Sequence, residues 1–83
     1  MHIGFMEFDV TTLSRIKKVC NDTYSKDKSF RFKIKDSKFE RDKILMVFSK
    51  DVNIAHKRMM WLIKKVLKGE NDGHDFIYWV KET

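Results

Sequence analysis

Five consecutive apolar residues, Ile44, Leu45, Met46, Val47 and Phe48, stand between Lys43 and Ser49 with no polar side chain to mark an outward face. Successive strand residues point to opposite sides of a sheet, so this run is apolar on both sides and suits a central strand. The chain has 83 residues, enough for one small domain. The remaining segments must therefore flank that strand on both edges and cover its faces. The chain has no proline and three glycines, which argues against long irregular loops.

The flanking segments supply the neighbours. His2 to Phe8 is short, apolar and aromatic, as a strand is. Asp9, Thr11 or Thr12 is placed to cap a helix from about Thr12 to Tyr24. That helix puts Leu13, Ile16, Cys20 and Tyr24 on one stripe and Arg15, Lys18 and Asn21 away from it. Ser29 to Lys35 alternates strictly, with Phe30, Phe32 and Ile34 on one side and Arg31, Lys33 and Lys35 on the other. Asp36 to Asp42 is polar apart from Phe39 and reads as a hairpin connection. After the run at 44–48, Ser49 or Asp51 opens a second helix. Gly69 closes it, with Lys64, Lys65 and Lys68 favourably placed at its C-terminal dipole. Its core stripe is Val52, Ala55, Met59, Leu62, Ile63 and Val66. Glu70 to His74 is turn-rich, and Asp75 to Lys81 reads as a last strand, again apolar on both faces.

The order is β-α-β-β-α-β, that of the α+β, ferredoxin-like sandwich, as one domain over residues 1–83. It implies a four-stranded antiparallel sheet with two helices on one face. The first and third strands are expected at the centre and the second at an edge. Lysines on an edge strand also discourage pairing with other chains, which is one sufficient reason for Arg31, Lys33 and Lys35. The third and fourth strands carry more apolar side chains than one helical layer covers. A chain this short also gains stability by association, so a homodimer is expected.

Hydrophobic residues at 42% and charged residues at 36% mark a globular chain. The charge is unevenly placed. Residues 28–35 carry Lys28, Arg31, Lys33 and Lys35 and no acid, and the second helix carries Lys57, Arg58, Lys64, Lys65 and Lys68 and no acid. The rest of the chain holds nine Lys or Arg against twelve Asp or Glu, so the net charge of +6 comes from these two zones. A basic zone on a nearly neutral scaffold is what phosphate binding needs, although lysine is also common on any solvated helix. On the second helix Trp61 and Ile54 lie among the lysines, opposite the core stripe. An indole among ammonium groups suits a partner that is anionic and partly flat, as nucleic acid is. The competing reading makes Trp61 and Ile54 the anchors of a protein-interaction module or inhibitor, with the lysines as its polar rim.

Enzyme chemistry finds little support. His2, His56 and His74 have no metal-ligand spacing with one another or with Cys20, and His56 flanks the core stripe as a partly buried histidine would. His74 lies between Asp72 and Asp75 in what reads as a solvated turn. There is no phosphate-cradling glycine loop and no nucleophile motif. No catalytic residue, metal or cofactor is expected. Cys20 is single, so no internal disulfide forms, and its place on the first helix is that of a buried thiol. No apolar run approaches membrane-spanning length, and MHIGFMEFDV lacks the features of a signal peptide. A cytoplasmic protein without a membrane partner is expected.

Three resemblances bear on function. The element order is similar to that of the RNA-recognition module, whose open sheet face stacks bases on aromatic residues. The corresponding strands here, HIGFMEF and KILMVFS, lack its glycine-aromatic motif. Asp9, at the end of the first strand, resembles the aspartate of the dimeric nuclease-like proteins of CRISPR adaptation. There a pair of such residues holds a divalent metal; a helix cap is the simpler role for Asp9. Finally, the small size, the lysine content and the lack of an enzyme motif resemble the early proteins of tailed phages. Among these are small basic RNA binders that neutralise a host toxin or nuclease. Together these readings give a non-catalytic binder of RNA or single-stranded nucleic acid. Its expected contacts are Lys57, Trp61, Lys64, Lys65 and Lys68 on the helix, and Arg31, Lys33 and Lys35 on the strand.

Overall fold

The computed structural model describes residues 1–37, 41–66 and 77–83. Strand β1 (His2–Phe8) leads through a 3-10 turn at Val10–Thr12 into helix α1 (Leu13–Lys26). Strands β2 (Arg31–Asp36) and β3 (Lys43–Ser49) follow, then helix α2 (Val52–Val66) and strand β4 (Tyr78–Glu82). The sheet order is β2-β3-β1-β4 with every neighbouring pair antiparallel, the ferredoxin-like α+β arrangement. The two apolar strands β1 and β3 are central and the basic strand β2 lies at an edge.

The pleat divides each strand between two faces. Gly4, Met6 and Phe8 of β1 and Leu45 and Val47 of β3 turn toward the helices and are buried. They join Ile16 and Cys20 of α1, Met59, Leu62 and Val66 of α2, and Phe30 in one core. Burial pushes the Cys20 thiol up to about 12, so it packs as a small apolar group. Gly4 sits beneath Met59, where a Cβ would lie 2.6 Å from Met59 Cγ, so the missing side chain admits α2 to the sheet. Asp51 caps α2: its carboxylate accepts the amides of Asn53 at 2.7 Å and Ile54 at 3.3 Å.

Several expectations need correction. Helix α1 runs on to Lys26: the Asp27 amide bonds to the Thr23 carbonyl, and the Thr23 and Ser25 hydroxyls fold back onto the Val19 and Asp22 carbonyls instead of breaking the helix. Its stripe drifts accordingly: Val19 and Thr23 are half-buried, while Tyr24 is 45% exposed and lies under the Lys28 ammonium. Arg15 lies off the stripe and is exposed as expected, and its guanidinium also donates to the Val66 carbonyl at the end of α2. Val52 is exposed rather than buried. His56 is exposed, and its Nδ1 is 2.9 Å from the Tyr78 hydroxyl of β4. Strand β2 starts at Arg31 and ends at Asp36, two residues and one residue later than the alternation suggested. The expected helix end at Gly69, Phe39, the turn at 70–74 and the first residues of the last strand lie outside the described residues. Among those described, no helix is long and apolar enough to cross a membrane.

Candidate nucleic-acid interface

Both helices pack on one face of the sheet, and the register determines what the other face displays. Arg31 pairs with Phe48, Phe48 with Ile3, and Ile3 with Lys81, which makes one row across the four strands. The next row is Lys33, Met46, Phe5 and Trp79, and the third is Lys35, Ile44 and Glu7. Each row thus begins with a β2 cation at the edge; the first two pass to apolar or aromatic side chains on both central strands, and the third passes over Ile44 to Glu7. Phe5 and Trp79 lie nearly parallel, with ring centroids 5.5 Å apart and planes inclined by 15°. Phe5, Ile44, Met46, Phe48 and Trp79 are all half-buried, each keeping a solvent-facing part. Just before β4, Ile77 is 75% exposed.

The charges on this face are one-sided. Arg31, Lys33 and Lys35 are exposed and take part in none of the ion pairs among the described residues. The acid on the face, Glu7, is engaged by its own surroundings: its carboxylate accepts the Ser37 hydroxyl at 3.2 Å and the Arg41 amide at 3.3 Å. Alternate strand residues are about 7 Å apart. The three β2 cations therefore form a rail with a spacing close to the nucleotide repeat of an extended single strand.

The second expected group lies on the other side of the molecule. Lys57, Trp61, Lys64 and Lys65 are exposed on the outer side of α2, while Lys68 lies outside the described residues. Trp61 is 42% exposed, with the Lys65 ammonium 5.7 Å from its ring centre. It leans into a groove whose other wall, from α1 and the turn after it, includes Asp22, Thr23 and Asp27. The Ser29 hydroxyl and amide, at 2.6 and 3.0 Å, hold the Asp27 carboxyl below its usual range. The lysines of α2 thus face a wall of mixed charge, where Lys26 stands with Asp22 and Asp27. The sequence placed β2 and α2 in one list of contacts; the sheet separates them into two surfaces.

Two further features concern catalysis. Asp9 occupies the cap position of the 3-10 turn but makes no side-chain cap; its carboxylate pairs with the Arg41 guanidinium at 3.3 Å. The capping role is overturned because Arg41, brought alongside by the β2–β3 hairpin, competes for that carboxylate. Secondly, Ser49, His2 and Glu82 form a row across β3, β1 and β4 on the helix side. His2 Nε2 is 3.5 Å from the Glu82 carboxylate, yet His2 Nδ1 and Ser49 Oγ are closed to solvent and neither has a hydrogen-bond partner among the described residues. A serine-histidine-acid row therefore exists without the hydrogen bond that would activate its hydroxyl.

Alternation alone did not reveal Phe5, Phe48 and Trp79 as partners of the β2 cations. The third and fourth strands read as apolar on both faces, but which side chains share a face depends on register. The chain matches no protein-family model, no curated protein and no solved structure.

Proposed function

We propose that this protein binds single-stranded nucleic acid, with RNA preferred, on the open face of its sheet, and that it does so without catalysis. One observation carries the reading: the three exposed β2 cations, in no ion pair among the described residues, stand on the same face as the stacked Phe5–Trp79 pair. The cations neutralise successive phosphates, while the aromatic side chains accept bases, a contact that tolerates any sequence because every base has a flat face. We place this activity in the cytoplasm. Inhibition of a host toxin or nuclease is the use we assign to it.

The two tryptophans make the test specific, because one lies on each side of the molecule. A uridine oligonucleotide that stacks on the sheet quenches Trp79 fluorescence. The quenching persists in Trp61→Phe and disappears in Trp79→Phe. Each phosphate neutralised adds about −0.7 to the slope of log affinity against log salt, so replacing Arg31, Lys33 and Lys35 by Ala should flatten that slope by about two. Quenching that follows Trp61, or a slope unmoved by the β2 substitutions, would transfer binding to α2.

One observation favours a second reading for the helix side. Trp61 lies in a groove with Lys57 and Lys65 on one wall and Asp22, Lys26 and Asp27 on the other, a mixed-charge setting better suited to a protein surface than to a polyanion. In that reading Trp61 anchors a protein partner.

A further inference from the structure

At one end of the open face, where β2 begins and β3 ends, the surface sinks into a cavity of about 280 Å³. Its apolar lining comes from Phe48, Ile54 and Met1, and its charged lining from Arg31, Lys50 and Arg58, with no acidic side chain among the lining residues. Ile54 is 44% exposed, off the buried stripe of its helix, and lines this cavity. Arg58 is fixed in place: it donates to the Phe48 carbonyl and to the Ser29 hydroxyl, each at 3.4 Å, and lies over the Phe30 ring. The nearest acid in sequence, Asp51, spends its carboxylate on the amides of Asn53 and Ile54. Arg31 and Lys50 are exposed, and neither takes part in an ion pair among the described residues.

An apolar lining combined with two available cations and a third held in place matches a base joined to a phosphate. We propose that this cavity seats one nucleotide of the bound strand, its base against Phe48 and Ile54 and its phosphate between Arg31 and Lys50. This rests on the reading of the open face as a single-strand site and fixes where the strand lies. Arg31 is both the cavity rim and the first cation of the β2 rail. The backbone leaving the cavity therefore continues past Lys33 and Lys35. Binding is thus anchored at one end of the sheet instead of sliding freely over it.

The test uses the whole chain labelled for amide NMR and three small probes: uridine monophosphate, uridine alone and inorganic phosphate. The monophosphate should shift the amides of Arg31, Lys50 and Ile54 in a saturable way. Either half alone should bind at least tenfold more weakly. Ile54→Glu, an exposed substitution in the first turn of a helix, should abolish the monophosphate shifts and lower oligonucleotide affinity several-fold while Trp79 quenching persists. Lys50→Glu, off any helix, serves as a second variant and should do the same. If the oligonucleotide still quenches Trp79 but the monophosphate shifts none of these amides, the anchored nucleotide is wrong and the sheet reading stands. The same conclusion follows if both variants leave monophosphate binding intact. If neither probe nor oligonucleotide binds, both proposals fall.

Discussion

Gly4 is where the absence of one methyl group sets the distance between α2 and the sheet. It sits in central strand β1 with Val47 on one side and Val80 on the other, and a Cβ added there would meet Met59 Cγ at 2.6 Å and Sδ at 2.7 Å. Met59 is fully buried, so its side chain has little room to move aside. Gly4→Ala should therefore destabilise the fold by about 1–3 kcal/mol, the usual cost of overpacking, despite the gain in strand propensity. Urea unfolding would measure it. The double variant Gly4→Ala/Met59→Ala should recover part of the loss through a non-additive coupling, because the two side chains would compete for the same space. A Gly4→Ala protein as stable as the parent would mean that α2 does not approach β1 at this point.

Helix α2 shows what one element reveals in sequence and what it withholds. Its cap, its buried residues at 55, 59, 62 and 66 and its outward lysines all follow from a 3.6-residue period with Asp51 in front. The cap can be weighed directly. Asp51→Ala should cost about 1 kcal/mol, while Asp51→Asn should cost only a few tenths, because the amide oxygen of Asn accepts the same backbone hydrogen bonds. Equal losses for both variants, by urea or thermal unfolding, would assign the effect to charge instead. Helix α1 was less legible because no glycine marks its end. Its last turn is completed by Thr23 and Ser25, residues that also favour turns, so composition alone pointed to an earlier stop. The strand centres were legible from period and apolarity, whereas the ends of β2 were not. Phe30 is buried like a strand residue but precedes the ladder, with its amide bonded to the Asp27 carbonyl.

At the scale of the whole molecule, the order of elements gave the sheet and the expected positions of its strands, but the site required the register. Arg31, Lys33 and Lys35 were singled out from alternation alone, yet their aromatic neighbours come from β1, β3 and β4, strands distant in sequence. Lys57, Trp61, Lys64 and Lys65 were legible as one helix face; that this face backs away from β2 is a property of the packed layers. The same geometry creates a competition. The open face carries the half-buried Phe5, Ile44, Met46, Phe48 and Trp79, and a second copy of the chain would bury their remaining solvent-facing parts as effectively as a stacked strand. We therefore expect the free protein to form a homodimer through this face and the nucleic acid to displace the partner. Sedimentation equilibrium at micromolar protein should give about twice the chain mass without ligand, and one chain plus one strand when a short uridine oligonucleotide is saturating. Because strand binding then competes with dimerisation, the apparent affinity should weaken as protein concentration rises. Trp79→Glu should abolish both the dimer and the binding, whereas Trp61→Glu should abolish neither. A dimer that persists with the strand bound would place self-association elsewhere, with the helix groove around Trp61 the next surface to test.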